Sequence, residues 1–214
     1  METKFTEQES LAVISEMIEQ ARNNFQKGRG SSMVYYGWLI VALTIPNIIL
    51  ISIYDKAGVM MVFSYWIWFL IIPGTSIERF FNRKARREAM VKTHIDSLVN
   101  STWQGYLYSI LTLIVVLSVC GLERRFYEAL FLIIPIVLIL LGLVEYIMAK
   151  AYRFKSYTYG AFIMWLGTVA CVIAVVTGIE DSTIIMIQFF VLAICMISGF
   201  VIPGYKLNKL AKNS

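Results

Sequence analysis

The chain has 214 residues, 58% of them hydrophobic and 15% charged, with a formal net charge of +5, whereas soluble domains carry about 25% charged residues. Its mean hydropathy is +0.70, and the charges sit between long apolar runs. That distribution excludes a soluble globular fold, and the positive balance needs no nucleic-acid partner to explain it.

Residues 1–30 form a polar leader to the first apolar run. Thr6 and Glu9 match a capping box, in which hydroxyl and carboxylate satisfy free amides at a helix start. Leu11, Ile14, Met17, Ile18, Ala21 and Phe25 then fall on one helical face, with Glu16, Glu19, Gln20 and Asn23 opposite. A cytoplasmic amphipathic helix over 6–26 is predicted, stopped by Lys27-Gly28-Arg29-Gly30. Surface helices that bind anionic lipid carry a basic polar face; this one carries Glu7, Glu9, Glu16 and Glu19. Docking on protein is therefore favoured, either on the basic segment 79–92 or on a partner, with Leu11, Ile14, Met17, Ile18 and Phe25 as the docking face. The first apolar run starts only near residue 33, after a polar segment rich in glutamate, whereas a signal peptide opens with a basic region, so a cleavable signal peptide is not expected.

Residues 31–214 form the membrane domain. The charge-free runs are 30–54, 57–77, 97–122, 129–144, 156–179 and 182–205, and a bilayer core needs about 20 apolar residues. The fourth reaches that length once it continues through Glu145 to Ala149. Spans are predicted at about 35–54, 57–77, 103–121, 128–149, 157–177 and 183–204. The expectation is an all-α membrane protein of six transmembrane helices in three hairpins. Helices are required because unpaired amides in hydrocarbon cost several kcal/mol. A β-barrel is excluded because Leu130–Leu141 is apolar at every residue. With the N-terminus inside, 16 of the 19 Lys and Arg residues fall in cytoplasmic segments, so the positive-inside rule places both termini in the cytoplasm.

Within span one, Pro46 removes a helix hydrogen bond and Asn47 offers an amide to the freed carbonyl or to a neighbouring span. Phe63, Tyr65, Trp66, Trp68 and Phe69 cluster in span two, where core packing or lipid contact is favoured over a ligand pocket. After it, Arg79, Arg83, Lys84, Arg86 and Arg87 beside Glu78 serve as topology determinants and as a candidate contact for anionic lipid. A short helix follows through Met90, Val91, Ile95, Leu98 and Val99. Trp103 and Tyr106 mark the interface where span three begins.

Glu145 is the one ionisable residue within a span. It lies five residues before Lys150, so it is expected to snorkel to water or to pair with Lys150 or Arg153. Pro135 interrupts span four, and Gln188 is the polar residue of span six. Asn47, Glu145 and Gln188 are either the lining of a polar cavity or glue between helices. Gly37, Gly105 and Gly160 near the starts of odd spans, with Gly74, Gly142 and Gly204 near the ends of even ones, outline a parallel repeat of hairpins. Ile72-Pro73-Gly74 and Ile202-Pro203-Gly204 add a repeated tripeptide.

Cys120, Cys171 and Cys195 show no metal spacing. His94 is the single histidine, which excludes paired-imidazole haem ligation and an HExxH zinc site. GxSxG and Walker sequences are also absent. No cofactor, metal or catalytic residue is expected, and the chain is read as a non-enzyme. Asn100-Ser101-Thr102 fits a glycosylation sequon but falls in a cytoplasmic segment.

Glu9-Ser10-Leu11, Ile14, Met17-Ile18, Ser101-Thr102-Trp103-Gln104 and the closing Ile202-Pro203-Gly204-Tyr205-Lys206-Leu207-Asn208 together resemble a family of small, uncharacterised six-span integral membrane proteins of Bacteroidota. The resemblance covers the whole chain and implies a bacterial inner membrane and a helical bundle. It brings no activity or catalytic residues. The functional expectation is an interaction or regulatory protein with cytoplasmic contact surfaces, in contact with membrane lipids and with a cytoplasmic protein or a second copy of itself. A small-solute transporter or channel is the alternative.

Overall fold

The computed structural model describes residues 11, 13, 15, 29–57, 61–81, 94–122 and 124–213. Among these described residues every regular element is helical: α1 (Arg29–Ala57), a 3-10 helix (Met61–Leu70), α2 (Ile71–Phe81), α3 (His94–Leu122), a second 3-10 helix (Arg124–Leu132), α4 (Ile133–Tyr152), α5 (Lys155–Val176), α6 (Asp181–Met196), a π turn (Ile197–Val201) and α7 (Ile202–Asn213). Four stretches among the described residues are long and apolar enough to cross a bilayer: Gly30–Ala57, Glu128–Tyr152, Lys155–Val176 and Asp181–Leu210.

The faces of these helices differ in size more than in polarity. Along α5 the inward residues are Tyr157, Gly160, Ala161, Met164, Gly167, Cys171 and Ala174, four of them glycine or alanine. Outward are Tyr159, Phe162, Leu166, Val169, Ile173 and Val176, all exposed. Lipid tails are as apolar as leucine, so no hydrophobic force sorts such faces. Small residues turn inward because they let backbones approach. The buried polar residues Thr44, Asn47, Ser64, Glu145 and Gln188 complete an inside-out pattern that water would not support over so much apolar surface.

α4 and α5 form the most extensive helix pair, joined by a connection in which Arg153 adopts φ 52° and donates its N–H to the Ala149 carbonyl. α1 lies against α6, the π turn and α7. Gly30, which the sequence places in a helix stop, instead belongs to the first turn of α1. It is packed against the Gly204 carbonyl and Asn208 of α7. Its lack of a side chain serves that close crossing.

α3 also departs from expectation. The sequence predicts a short helix ending near 100 and a separate span from 103, but the chain is one helix from His94 to Leu122. No glycine or proline interrupts 94–104, and Thr102 Oγ1 donates back to the Leu98 carbonyl, four residues earlier in the same helix, at 2.9 Å. α3 packs on α4 and on the second 3-10 helix, with Val99 buried and Trp103 edge-on to Phe200.

The segment 61–70 is a 3-10 helix, with three residues per turn. The aromatics fit that period. Phe63, Trp66 and Phe69 are exposed, while Tyr65 and Trp68 pack on Phe189 of α6, the latter stacked at 5.8 Å. The aromatic cluster is thereby divided between outer surface and helix packing.

Candidate functional site

Asn47, Glu145 and Gln188 are all fully buried, and each occupies a different seam. Asn47 Nδ2 donates to the Ser64 carbonyl at 3.0 Å, tying α1 to the 3-10 helix. Gln188 Nε2 donates to the Phe131 carbonyl at 2.8 Å, tying α6 to the segment before α4. The second bond has a local cause. Pro135 has no N–H, so the carbonyl four residues earlier, that of Phe131, loses its usual helical donor. Gln188 supplies one from another helix.

Glu145 sits elsewhere, in the seam between α4, α5 and the π turn. A Cβ built on Gly160 would meet its Oε2, and one on Gly199 would lie 3.2 and 3.3 Å from its two oxygens. The expected excursion toward water is absent. Lys150 Nζ lies over the Tyr146 ring, 5.2 Å from its centroid, and Arg153 is exposed. Neither Glu145 oxygen has a hydrogen-bond partner among the described residues. Two glycines on neighbouring helices leave the notch into which the carboxyl turns. Spacing to Lys150 alone does not disclose that notch.

No hydrogen bond joins Asn47, Glu145 and Gln188 among the described residues. Asn47 Oδ1, Ser64 Oγ and Trp68 Nε1 are also buried without partners there, and they belong to the α1 seam with the 3-10 helix.

The ends of several helices converge on one side of the bundle. Ser32 Oγ donates to Glu78 Oε1 at 2.6 Å and Tyr36 OH to Oε2 at 3.2 Å. Ser31 Oγ donates to Asn208 Oδ1 at 3.4 Å. Glu78 is thus a buried acceptor for two hydroxyls of α1. Of the basic residues beside it, Arg79 lies in α2, and Arg83, Lys84, Arg86 and Arg87 fall outside the described residues.

A groove of about 310 Å³ opens at the α4–α5 turn and α7, lined by Phe154, Ser156, Lys206, Lys209 and Leu210. Its residues carry two ammonium groups on an otherwise apolar wall. Sequence reasoning misses it because α7 extends to Asn213, about two turns past the predicted end of span six at 204. Leu11 and Val13 are both exposed. Ile14, Met17, Ile18 and Phe25 of the predicted docking face lie outside the described residues.

Fold and surface define a helical membrane protein. No family model matches the chain, and no curated protein or solved structure matches it.

Proposed function

We propose that the protein is a non-enzymatic, six-span protein of a bacterial cytoplasmic membrane that binds a cytoplasmic protein partner at the end of its bundle. The observation that carries this reading is the groove beside the α4–α5 turn. Lys206 and Lys209 flank an apolar wall of Phe154 and Leu210, and exposed Arg153 and Lys155 stand next to it. An amphipathic helix with acidic residues beside its apolar face complements such a surface in both charge and area. The positive-inside rule assigns this end to the cytoplasm. A solute path through Asn47, Glu145 and Gln188 is the weaker reading, since the hydrogen bonds of Asn47 and Gln188 close separate seams and Glu145 lies apart from both.

The test is a photo-crosslinking amino acid at Ser156 or Leu210 in native membranes. The expected product is a protein adduct whose crosslinked peptide is acidic and amphipathic, and which is lost in the Lys206→Glu, Lys209→Glu double variant. Adducts to lipid alone would assign the groove to headgroups. Adducts to residues 1–28 of the same chain would assign it to an internal contact. Either result overturns the partner reading.

A further inference from the structure

Glu145 is a carboxyl group with 0% exposure whose two oxygens are both unbonded among the described residues. Isolated polar groups in a protein interior are costly, and nearly all are satisfied. The exceptions call for an explanation, and a role in binding an ion is one of the few available.

The surroundings are built to admit the group. Gly160 of α5 and Gly199 of the π turn face it from two helices. The π turn coincides with the contact: Pro203 has no N–H with which to close an α-turn onto the Gly199 carbonyl. The chain widens there, and Ile202 donates instead to the Ile197 carbonyl. Single π turns recur at functional sites because they place backbone groups outside the regular ladder. The Met164 methyl packs against Gly199.

We propose that the Glu145 notch between Gly160 and Gly199 is a binding site for one monovalent cation, either a proton or an alkali ion. A proton needs only the carboxyl oxygens. An alkali ion adds backbone oxygens from the widened turn. No group of three or more His, Cys, Asp or Glu side chains among the described residues is placed to hold a metal ion, so a multidentate transition-metal site is not the fit. The notch lies about 7.5 Å along the helix from Lys150, at 1.5 Å per residue, within reach of the membrane surface.

The other titratable groups on the packed elements include Tyr146, Lys150 and Tyr152 on α4, Lys155, Tyr157, Tyr159 and Cys171 on α5, Tyr106 on α3, Cys195 on α6, and Tyr205, Lys206 and Lys209 on α7. Cys195 stands one turn before Gly199, and its Sγ donates to the Ile163 carbonyl at 3.7 Å. None forms an ion pair with Glu145.

The test uses the full-length protein in nanodiscs. Melting midpoints are recorded across a pH series in choline chloride, then at fixed pH with NaCl or KCl replacing choline. A ligand that binds only the folded state raises the midpoint in proportion to the logarithm of its occupancy ratio. The wild type moves in one series or both, by about 4 °C or more, and Glu145→Gln responds less, by that difference. A response to sodium or potassium identifies an alkali ion, and a response to pH alone identifies a proton. A wild-type midpoint flat in both series overturns the proposal, as does a Glu145→Gln response equal to the wild type.

If Glu145→Gln does not fold, labelling of wild-type Glu145 by dicyclohexylcarbodiimide, read by peptide mass spectrometry, replaces it. Alkali ion at about ten times its dissociation constant slows labelling about tenfold, or acidification by one pH unit speeds it by up to about tenfold. A labelling rate, zero included, that neither treatment changes overturns the site.

Discussion

At the scale of single residues, the buried amides of Asn47 and Gln188 each bond a remote backbone carbonyl. Gln188 and the Phe131 carbonyl are the clearest, at 2.8 Å. Gln188→Leu removes that interhelical hydrogen bond from a buried setting. The expected loss is about 0.5–2 kcal/mol, the range for interhelical hydrogen bonds in membranes, read as a lower midpoint in SDS-titrated unfolding. Glycines offer an internal control. Gly160→Ala drives a methyl into the Glu145 carboxyl and is expected to destabilise by about 1–3 kcal/mol, as overpacking does. Gly105→Ala, at a position with no atom within 4 Å of the added Cβ, is expected to be neutral or to stabilise by up to about 1 kcal/mol through helix propensity. The same unfolding assay separates them. That contrast also bears on the outlined repeat: Gly105 and Gly160 occupy matched sequence positions but share no packing role.

At the scale of elements, the apolar runs make helix positions legible, while internal geometry is not. Helix ends at Val176 and Asp181 fall within two residues of the predicted turn at 178–182, because Gly178 takes φ 65° and a glycine tolerates that conformation. The 3-10 segment was hidden for a definable reason: spacing by three of Phe63, Trp66 and Phe69 resembles the i, i+3 contacts of an α-helix over so short a stretch. The π turn is hidden likewise, since Pro203 marks a missing donor but not how the chain compensates. The Glu145 notch needs two glycines 39 residues apart in sequence (Gly160 and Gly199) to meet, which only tertiary packing reveals.

The α4–α5 turn yields a prediction of its own. Arg153 holds a left-handed conformation, which costs an L-residue about 1–2 kcal/mol. Arg153→Gly relieves that strain but frees the unfolded chain, so a net gain of about 0.5–1 kcal/mol is expected as a higher melting midpoint.

At the scale of the whole molecule, the number of crossings turns on the segment 61–81. It is not among the four long apolar helices, yet its length suffices. Ten 3-10 residues rise about 20 Å and eleven α-helical residues about 16 Å, against a hydrocarbon core of about 30 Å. The contacts of its end agree: Glu78 bonds to Ser32 at the start of α1, so the chain returns to the end it left. α3 has 29 residues, enough to cross in the opposite sense. Single cysteines placed at Lys56, Asn82, Glu128, Ser156, Asp181 and Lys209 test this in intact cells with a membrane-impermeant maleimide. Six crossings with cytoplasmic termini predict labelling from outside at 56, 128 and 181, and labelling only after permeabilisation at 82, 156 and 209. If 56 and 82 share a side, the 61–81 segment lies along the surface. Every later crossing would then invert unless a second segment also failed to cross, and the cationic groove would face away from the cytoplasm. The positive-inside bias weighs against that inversion, because it would place the Lys150–Lys155 turn and the lysines of α7 outside.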